Sequence, residues 1–131
     1  AGKEKLKKDS SQQILTLHTD GMEIWIGRNN RQNDFLTTKK ARPRDLWFHA
    51  KNQPGSHVIL VSHNGTPTAE QIRAAAECAA FYSKGKDSSK VEVDSTLVRH
   101  VKKPAHAVPG FVIFENQTTY VVEPKKHVEL E

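Results

Sequence analysis

The residues best suited to chemistry lie in one stretch, from Asp45 to Leu60. Its first part places a flat ring, an imidazole and a cation at every second position, as Trp47, His49 and Lys51. A ring that can stack, beside groups that supply hydrogen bonds and positive charge, suits a polyanion that carries planar bases. We therefore interpret this stretch first as a binding surface for nucleic acid.

The positions between these three residues hold apolar side chains, Leu46, Phe48 and Ala50. Alternation of apolar and polar residues predicts a half-buried β-strand, because neighbouring side chains of a strand project to opposite faces. We expect the apolar set to face the core. His49 and Lys51 are then expected on the opposite side, facing a ligand.

A turn and a second strand follow. Pro54-Gly55 predicts a type II turn, because proline fixes φ and glycine accepts the positive φ that this turn requires. The β-branched run from Val58 to Val61 predicts a central strand. His57, directly after the turn, is a further candidate contact that could meet His49. Trp47 has two interpretations: a base-facing ring, or a core residue whose indole N–H is hydrogen-bonded.

Other polar and basic side chains can extend this surface. A dense polar group precedes it, whose amides either cap a helical turn or contact RNA: Arg28, Asn29, Asn30 and Arg31. The remaining candidates for phosphate contact are basic: Lys39, Arg42, Arg44, Lys84, Lys102 and Lys103. The formal net charge of +5 favours a nucleic acid or another anionic surface. The same side chains are also typical of an ordinary solvated surface.

Metal and catalytic chemistry are not indicated. The seven histidines include no pair at helical i, i+4 spacing, and no CxxC or HExxH motif is present. Ser56 and His57 are adjacent only in sequence, whereas a catalytic triad is defined by geometry. Cys78 lies in an alanine-rich segment, which favours a buried, inert thiol. We expect a binding protein, not an enzyme, with no catalytic residue, no metal and no cofactor.

The rest of the chain predicts the elements that must position these residues. They are a hairpin of residues 14–18 and 23–26, a short helix or helical turn within 29–40, an extended segment over 42–44, the strands described above, a helix over 68–84, a strand over 91–94, and a second hairpin of residues 110–115 and 118–122. Thr68 and Gln71 predict a capping box, and Gly85 a stop for the helix. This order predicts an α+β fold: a mostly antiparallel β-sheet with one long helix packed on a face, in two layers.

The composition limits the class of protein. A length of 131 residues predicts one domain. No apolar run approaches the ~20 residues of a membrane helix, so no membrane insertion is expected. A single cysteine fits a reducing compartment, and no signal peptide is visible. We expect a cytoplasmic protein.

Two long blocks, residues 27–37 and 45–60, resemble the NFACT-R domain. This domain is the RNA-associated module of RqcH-like ribosome quality-control proteins, which older names call fibronectin-binding proteins. Shorter blocks follow in the same order at 79–84, 101–104 and 109–110, so the resemblance spans about residues 13 to 124. His106 departs from the pattern, since it stands where glycine is expected.

The resemblance implies an RNA-binding module of a factor that binds obstructed large ribosomal subunits. Such a factor recruits aminoacyl-tRNA, alanyl-tRNA in bacteria, for C-terminal tailing of stalled peptides. The implied partners are tRNA, the large ribosomal subunit and other domains of the same full-length chain. Three alternatives stay open: a DNA-binding module, a module that binds fibronectin or extracellular matrix, and an intramolecular docking domain.

The resemblance also suggests three segments. Residues 1–12 form a basic tail or the remnant of a preceding coiled coil, and residues 13–124 form the domain. Residues 125–131 form a C-terminal tail, in which Leu130-Glu131 resembles a cloning scar.

Overall fold

The computed structural model describes residues 13–19, 21–63 and 65–127, so the expected tail at 1–12 and the expected cloning scar lie outside the described residues. The strands are β1 (Leu15–Thr19), β2 (Met22–Ile26), β3 (Leu46–Ala50), β4 (Val58–Leu60), β5 (Val91–Leu97), β6 (Val101–Lys102), β7 (Ile113–Phe114) and β8 (Thr118–Val122). The helices are α1 (Asn30–Phe35), which continues as a π-helical turn (Leu36–Lys40), and α2 (Ala69–Phe81). A 3₁₀ turn (Val98–His100) links β5 to β6.

Six strands form one sheet in the order β1-β2-β4-β3-β5-β8, and β6 pairs with β7 in a small second sheet. Every strand pair in the described ranges is antiparallel. The predicted hairpin of β1 and β2 is confirmed, with Gly21 at φ +69° in its connection. The strand that carries the predicted contact residues, β3, lies inside the sheet between β4 and β5. The fold is α+β with a mostly antiparallel sheet.

The long helix begins where its capping box predicts. Thr68 Oγ1 accepts a hydrogen bond from the Gln71 backbone, and Gln71 Oε1 accepts one from the Thr68 backbone. The helix ends at Phe81, before the expected end at Lys84, and the stop is not a left-handed glycine. Instead, the Lys84 N–H donates to the Pro54 carbonyl at 3.0 Å, and Ser83 forms a bridge with Gly55. Tertiary pairing therefore ends the helix.

One face of the sheet packs against α2. Phe48 and Ala50 of β3 are fully buried there, with Val58 and Leu60 from β4. The buried side of the helix is made of small residues, which let its axis approach the sheet closely: Ala75, Ala76, Cys78, Ala79 and Ala80. The prediction that the apolar set of β3 faces the core is confirmed.

The opposite face of the sheet is also covered. Trp47 and Ile59 are buried on it beneath Leu36 of the π-helical turn and Val98. Phe114 of β7 packs against this second cluster as well. Helical and loop segments therefore flank both faces, and the prediction of one long helix in two layers is incomplete. The helical part consists of a 13-residue helix and a shorter helical segment on the other face.

Two turns differ from their predictions. At the end of β3 the positive φ belongs to Asn52, at +56°, and Gly55 does not have a positive φ. Asparagine tolerates this conformation, whereas Gly55 is needed for its close approach to Ser83. The segment expected to be extended, Arg42-Pro43-Arg44, forms a turn instead, because the Asp45 N–H donates to the Arg42 carbonyl at 3.0 Å.

The predicted second hairpin of residues 110–115 and 118–122 is wrong. β7 pairs with β6, whereas β8 pairs with β5 at the edge of the large sheet. Asn116, at φ +61°, redirects the chain between them. Thr96 Oγ1 holds this bend by donating a hydrogen bond to the Glu115 carbonyl at 2.9 Å. Local alternation alone does not identify the partner of a strand.

Candidate functional site

The polar block before α1 builds the start of that helix. Asn29 is the N-cap, and its Oδ1 accepts from the Gln32 N–H at 2.9 Å. Gln32 Oε1 in turn accepts from the Arg28 N–H at 2.8 Å. The amide of Asn29 is therefore occupied in capping, one of the two interpretations open from the sequence. The side chains of Asn30 and Arg31 belong to exposed residues.

Asn33 joins α1 to the segment before β4. Its Oδ1 accepts from the His57 N–H at 2.9 Å, and its Nδ2 donates to the Gly55 carbonyl at 3.3 Å. Gly27 lies against the same amide, so a Cβ at this position would overlap Asn33 Oδ1. The two long sequence blocks that carry the family resemblance thus meet in space through Asn33.

Asp34 joins α1 to the loop before β7. Its Oδ1 accepts from Lys103 Nζ at 2.7 Å and from the Gly110 N–H at 3.0 Å. Burial alone would raise the pKa of Asp34, but the hydrogen bonds from Lys103 and Gly110 bring it below its usual value of 3.8. Lys103, predicted as a phosphate contact, therefore forms an ion pair within the protein.

A groove opens between the start of α1 and the end of α2, with a volume of about 580 Å³. Three cations line it: Arg28, Lys84 and Lys86. Asn30, which carries an amide, also lines the groove. No acidic side chain occurs among the described lining residues. The bridge between Gly55 and Ser83 holds the two walls together. This arrangement provides positive charge and hydrogen-bond donors to an anion.

Three of the predicted residues gather in a second place, on the face of the sheet opposite α2. Trp47 Nε1 donates to His57 Nδ1 at 3.1 Å, and Thr37 Oγ1 lies 2.7 Å from the same nitrogen. Because the indole N–H only donates, His57 Nδ1 is an acceptor and the ring proton is on Nε2. The His49 ring lies parallel to the indole, with centroids 5.8 Å apart.

Burial removes two of these residues from the predicted surface. Trp47 is 1% exposed and His57 is 2% exposed, so neither ring can stack on a base at the surface. Of the two interpretations of Trp47, the hydrogen-bonded core residue is the correct one. Desolvation lowers the pKa of His57 to about 3 and also lowers that of His49, so both imidazoles are neutral at pH 7. His49 is only partly buried.

A smaller pocket of about 270 Å³ adjoins these rings. His49, Phe111 and Phe114 line it above the buried indole, and the Phe114 and Trp47 ring centroids are 4.7 Å apart. Gly110, at φ +87°, connects the pocket to the groove, because it lies against the Asn30 backbone. The groove and the ring pocket are therefore neighbours.

Lys51 is on the predicted side of the strand but has a partner there. Its Nζ lies 3.0 Å from Asp94 Oδ1 on the neighbouring strand. Thr119 Oγ1 donates to the same oxygen at 2.7 Å. Asp94 is buried, so the ammonium of Lys51 has a structural role in neutralising this carboxylate.

The other predicted basic residues do not join the groove. Lys39 lies on the exposed end of the π-helical turn, and Arg42 and Arg44 lie in the exposed turn before β3. Arg44 Nη2 contacts the His63 carbonyl at 3.5 Å. Lys102 lines a separate pocket of about 110 Å³ with His100 and Glu115. The predicted set is thus divided among several surfaces.

The sequence-based set omitted Lys86 of the groove and both Phe111 and Phe114 of the ring pocket. The Nζ of Lys86 lies 5.4 Å from the centroid of the Phe81 ring. Phe111 follows the Pro109-Gly110 block and is 53% exposed. An aromatic residue directly after a glycine-containing turn is the available signal, but its exposure depends on the tertiary fold.

Other kinds of site have little support in the described ranges. No group of three or more histidine, cysteine, aspartate or glutamate side chains there could hold a metal ion. Cys78 is buried, and desolvation raises its pKa to about 12, which keeps the thiol protonated. None of the described helices is long and apolar enough to cross a membrane.

Comparison with known proteins identifies the family of this chain. Residues 13–116 match the model of the NFACT protein RNA binding domain. The Rqc2 homolog RqcH of Bacillus subtilis is 51% identical over 106 residues, which cover 81% of this chain and 18% of that protein. The Rqc2 homolog RqcH of Streptococcus suis is 46% identical over 109 residues, covering 82% of this chain and 20% of that protein.

A solved structure is similar over most of the fold. The C-terminal part of the fibronectin/fibrinogen-binding protein from Streptococcus suis matches with a TM-score of 0.79 and 44% identity, over 86% of this chain and 45% of that one. The chain spans about a fifth of the length of the RqcH relatives. Since the family model matches most of the chain, this chain belongs to the NFACT protein RNA binding domain family.

Proposed function

We propose that this domain binds RNA through the groove between α1 and α2. The observation that carries the proposal is the charge of the groove: Arg28, Lys84 and Lys86 line it without a carboxylate among the described lining residues. Cations on a fixed scaffold contact phosphates, and Asn30 can add hydrogen bonds to ribose or base. Membership of an RNA-binding family supports this assignment.

In the full-length protein, the domain would act as a non-catalytic module of a cytoplasmic ribosome quality-control factor. The RqcH relatives support this context. The factor would bind obstructed large ribosomal subunits and recruit aminoacyl-tRNA, and the domain would contact tRNA or ribosomal RNA. The ribosome would transfer the peptide, so the domain needs no catalytic group. Capture of large subunits and tRNA by the full-length protein, and loss of that capture without this domain, tests the assignment.

A salt titration of RNA binding tests the groove directly. If each of the three groove cations neutralises one phosphate, the logarithm of the affinity should fall with the logarithm of salt concentration with a slope of about −2.1 to −2.7. Lys84→Ala should weaken binding and make the slope shallower by about 0.7 to 0.9, because one phosphate contact is lost.

Arg73→Ala is the matched control, because Arg73 is an exposed cation near the start of α2 and does not line the groove. This variant should keep the wild-type slope. Absence of RNA binding at low salt, or equal slopes for wild type and Lys84→Ala, would contradict the groove as the RNA site.

Binding to an extracellular protein is the second candidate, because the similar solved structure is that of a fibronectin/fibrinogen-binding protein. β8 is an edge strand of the large sheet, and Val121 on it is 59% exposed. Such an edge can accept an extended peptide as an added strand. Fibronectin binding that persists in Lys84→Ala and is lost on changing β8 would support this function in place of RNA binding. Competition by DNA equal to that by RNA would support a DNA-binding module.

A further inference from the structure

The ring pocket beside the groove has features that the phosphate contacts do not use. Its floor consists of the buried Trp47 and His57 rings, which meet edge to face with centroids 5.4 Å apart. His49, Phe111 and Phe114 form the more accessible parts of the wall. The pocket is thus lined by planar rings and closed at its base.

Hydrogen bonds fix the backbone at Phe111, although its side chain is exposed. Its N–H donates to the Val108 carbonyl at 3.1 Å, which closes a turn, and the neighbouring Gly110 N–H donates to Asp34. A large aromatic side chain presented on a fixed turn costs little conformational entropy when it meets a ligand. Three of the four large apolar residues most exposed in the described ranges lie on this segment: Val108, Phe111 and Ile113.

The position of the pocket identifies the chemistry of its ligand. Gly110 lies against the backbone of Asn30, and Asn30 lines the cationic groove. A strand with phosphates in the groove would therefore bring its bases to the rings. The pocket volume of about 270 Å³ is below the usual range of ~300–1,000 Å³ for small-molecule sites, which suits one planar group.

We propose that this ring pocket receives one unstacked base of a single-stranded RNA segment whose phosphates lie in the groove. The proposal rests on the proposed function and specifies its ligand. The base stacks against Phe111, and the partly buried His49 ring forms part of the same wall. A stacking site of this kind tolerates different bases, because each base has a π-face.

The test measures the affinity of the chain for two single-stranded octanucleotides of equal charge. One carries uridines, and the other has abasic riboses throughout. Wild type should prefer the uridine strand by about 5- to 150-fold, as expected for one base–aromatic stack. Phe111→Ala should lower the affinity for the uridine strand by about the same factor and leave that for the abasic strand unchanged. The salt slope should stay constant, because no charge is removed.

Two further variants control for nonspecific effects. Val121→Ala removes an exposed apolar group outside the pocket and should bind as wild type. Phe111→Trp keeps a stacking ring and should retain the preference for the uridine strand. If the variants keep the wild-type melting temperature, the changes in affinity are effects on binding and not on folding.

The outcomes separate this inference from the proposed function. A wild-type chain that binds no RNA overturns both. If the wild-type chain shows the expected salt dependence but Phe111→Ala keeps the wild-type preference for the uridine strand, the ring pocket alone is overturned. The ring-pocket proposal is also overturned if wild type binds the two octanucleotides with equal affinity. Capture of an apolar peptide that RNA does not displace overturns it too.

Discussion

Phe48 lies at the centre of the face that β3 presents to α2, and it has no exposed surface. Phe48→Ala should lower the free energy of unfolding by about 3–5 kcal/mol, because burial is lost and a cavity remains. Urea denaturation measures this change. Val121→Ala is the control, and it should stay within about 0.5 kcal/mol of wild type because Val121 is exposed. A similar small effect for Phe48→Ala would show that the core face is wrongly assigned.

His106 departs from the family pattern, and its backbone conformation explains why glycine is expected at this position. It stands where the resemblance predicts glycine, and its φ is +66°, in the left-handed region. Glycine adopts this region without a steric penalty, whereas a histidine pays for it. His106 therefore adopts a backbone conformation that suits glycine and carries some strain.

Hydrogen bonds from a few polar side chains connect the segments around the site. Asp34 connects α1 to Lys103 and Gly110, and so fixes the loop that carries Phe111. Asp34→Ala should cost about 1–2 kcal/mol, because two hydrogen bonds to a partly exposed carboxylate are lost. The Gly110 and Phe111 amides should exchange faster with solvent, which hydrogen-exchange NMR measures.

Asp87→Ala is the control for this change, because Asp87 is an exposed acid in the loop after α2. It should leave both the stability and the two exchange rates unchanged. If Asp34→Ala alters the overall stability but not the amide exchange of Gly110 and Phe111, the hydrogen bonds of Asp34 do not hold the loop.

The whole domain should lose stability in mild acid. The folded state holds the pKa of His57 at about 3 and lowers that of His49, whereas both histidines take up protons near pH 6.5 when unfolded. The contribution of His57 is therefore complete above pH 6.5 and is lost as the pH falls towards 3, and the contribution of His49 is lost in the same direction. For His57 this loss approaches about 1.4 kcal/mol per pH unit in this window. Asp34, with its lowered pKa, adds to the loss only below about pH 4.

Urea denaturation at pH 7, 6 and 5 measures this dependence. His57→Gln should be less stable at pH 7 but should show a shallower decline, since one of the two buried imidazoles is gone. His106→Gln, at an exposed position, should keep the wild-type slope. A wild-type stability that stays constant from pH 7 to pH 5 would mean that neither ring is buried in the neutral form.

Local patterns were enough for several parts of this fold. The period of two in β3 predicted which residues face the core, because a strand projects its side chains alternately. Thr68 and Gln71 predicted the start of α2, since a capping box uses atoms within one turn. The hairpin of β1 and β2 followed from a short turn between two alternating segments. The α+β class followed from the order of these elements.

The tertiary structure decided which residues share a surface. Trp47 and His49 have the same alternation in the sequence, yet Leu36, Val98 and Phe114 cover the first ring and leave the second partly open. Lys84 and Arg28 both line the groove, whereas Lys103 forms an ion pair with Asp34 and Lys51 forms one with Asp94. Charge and spacing in a sequence do not show whether a cation has a partner distant in the chain. The sequence by itself therefore determined most of the strands, the start of α2 and the basic character of the chain. Only packing between distant segments decided which cations line the groove and which ring is open to solvent.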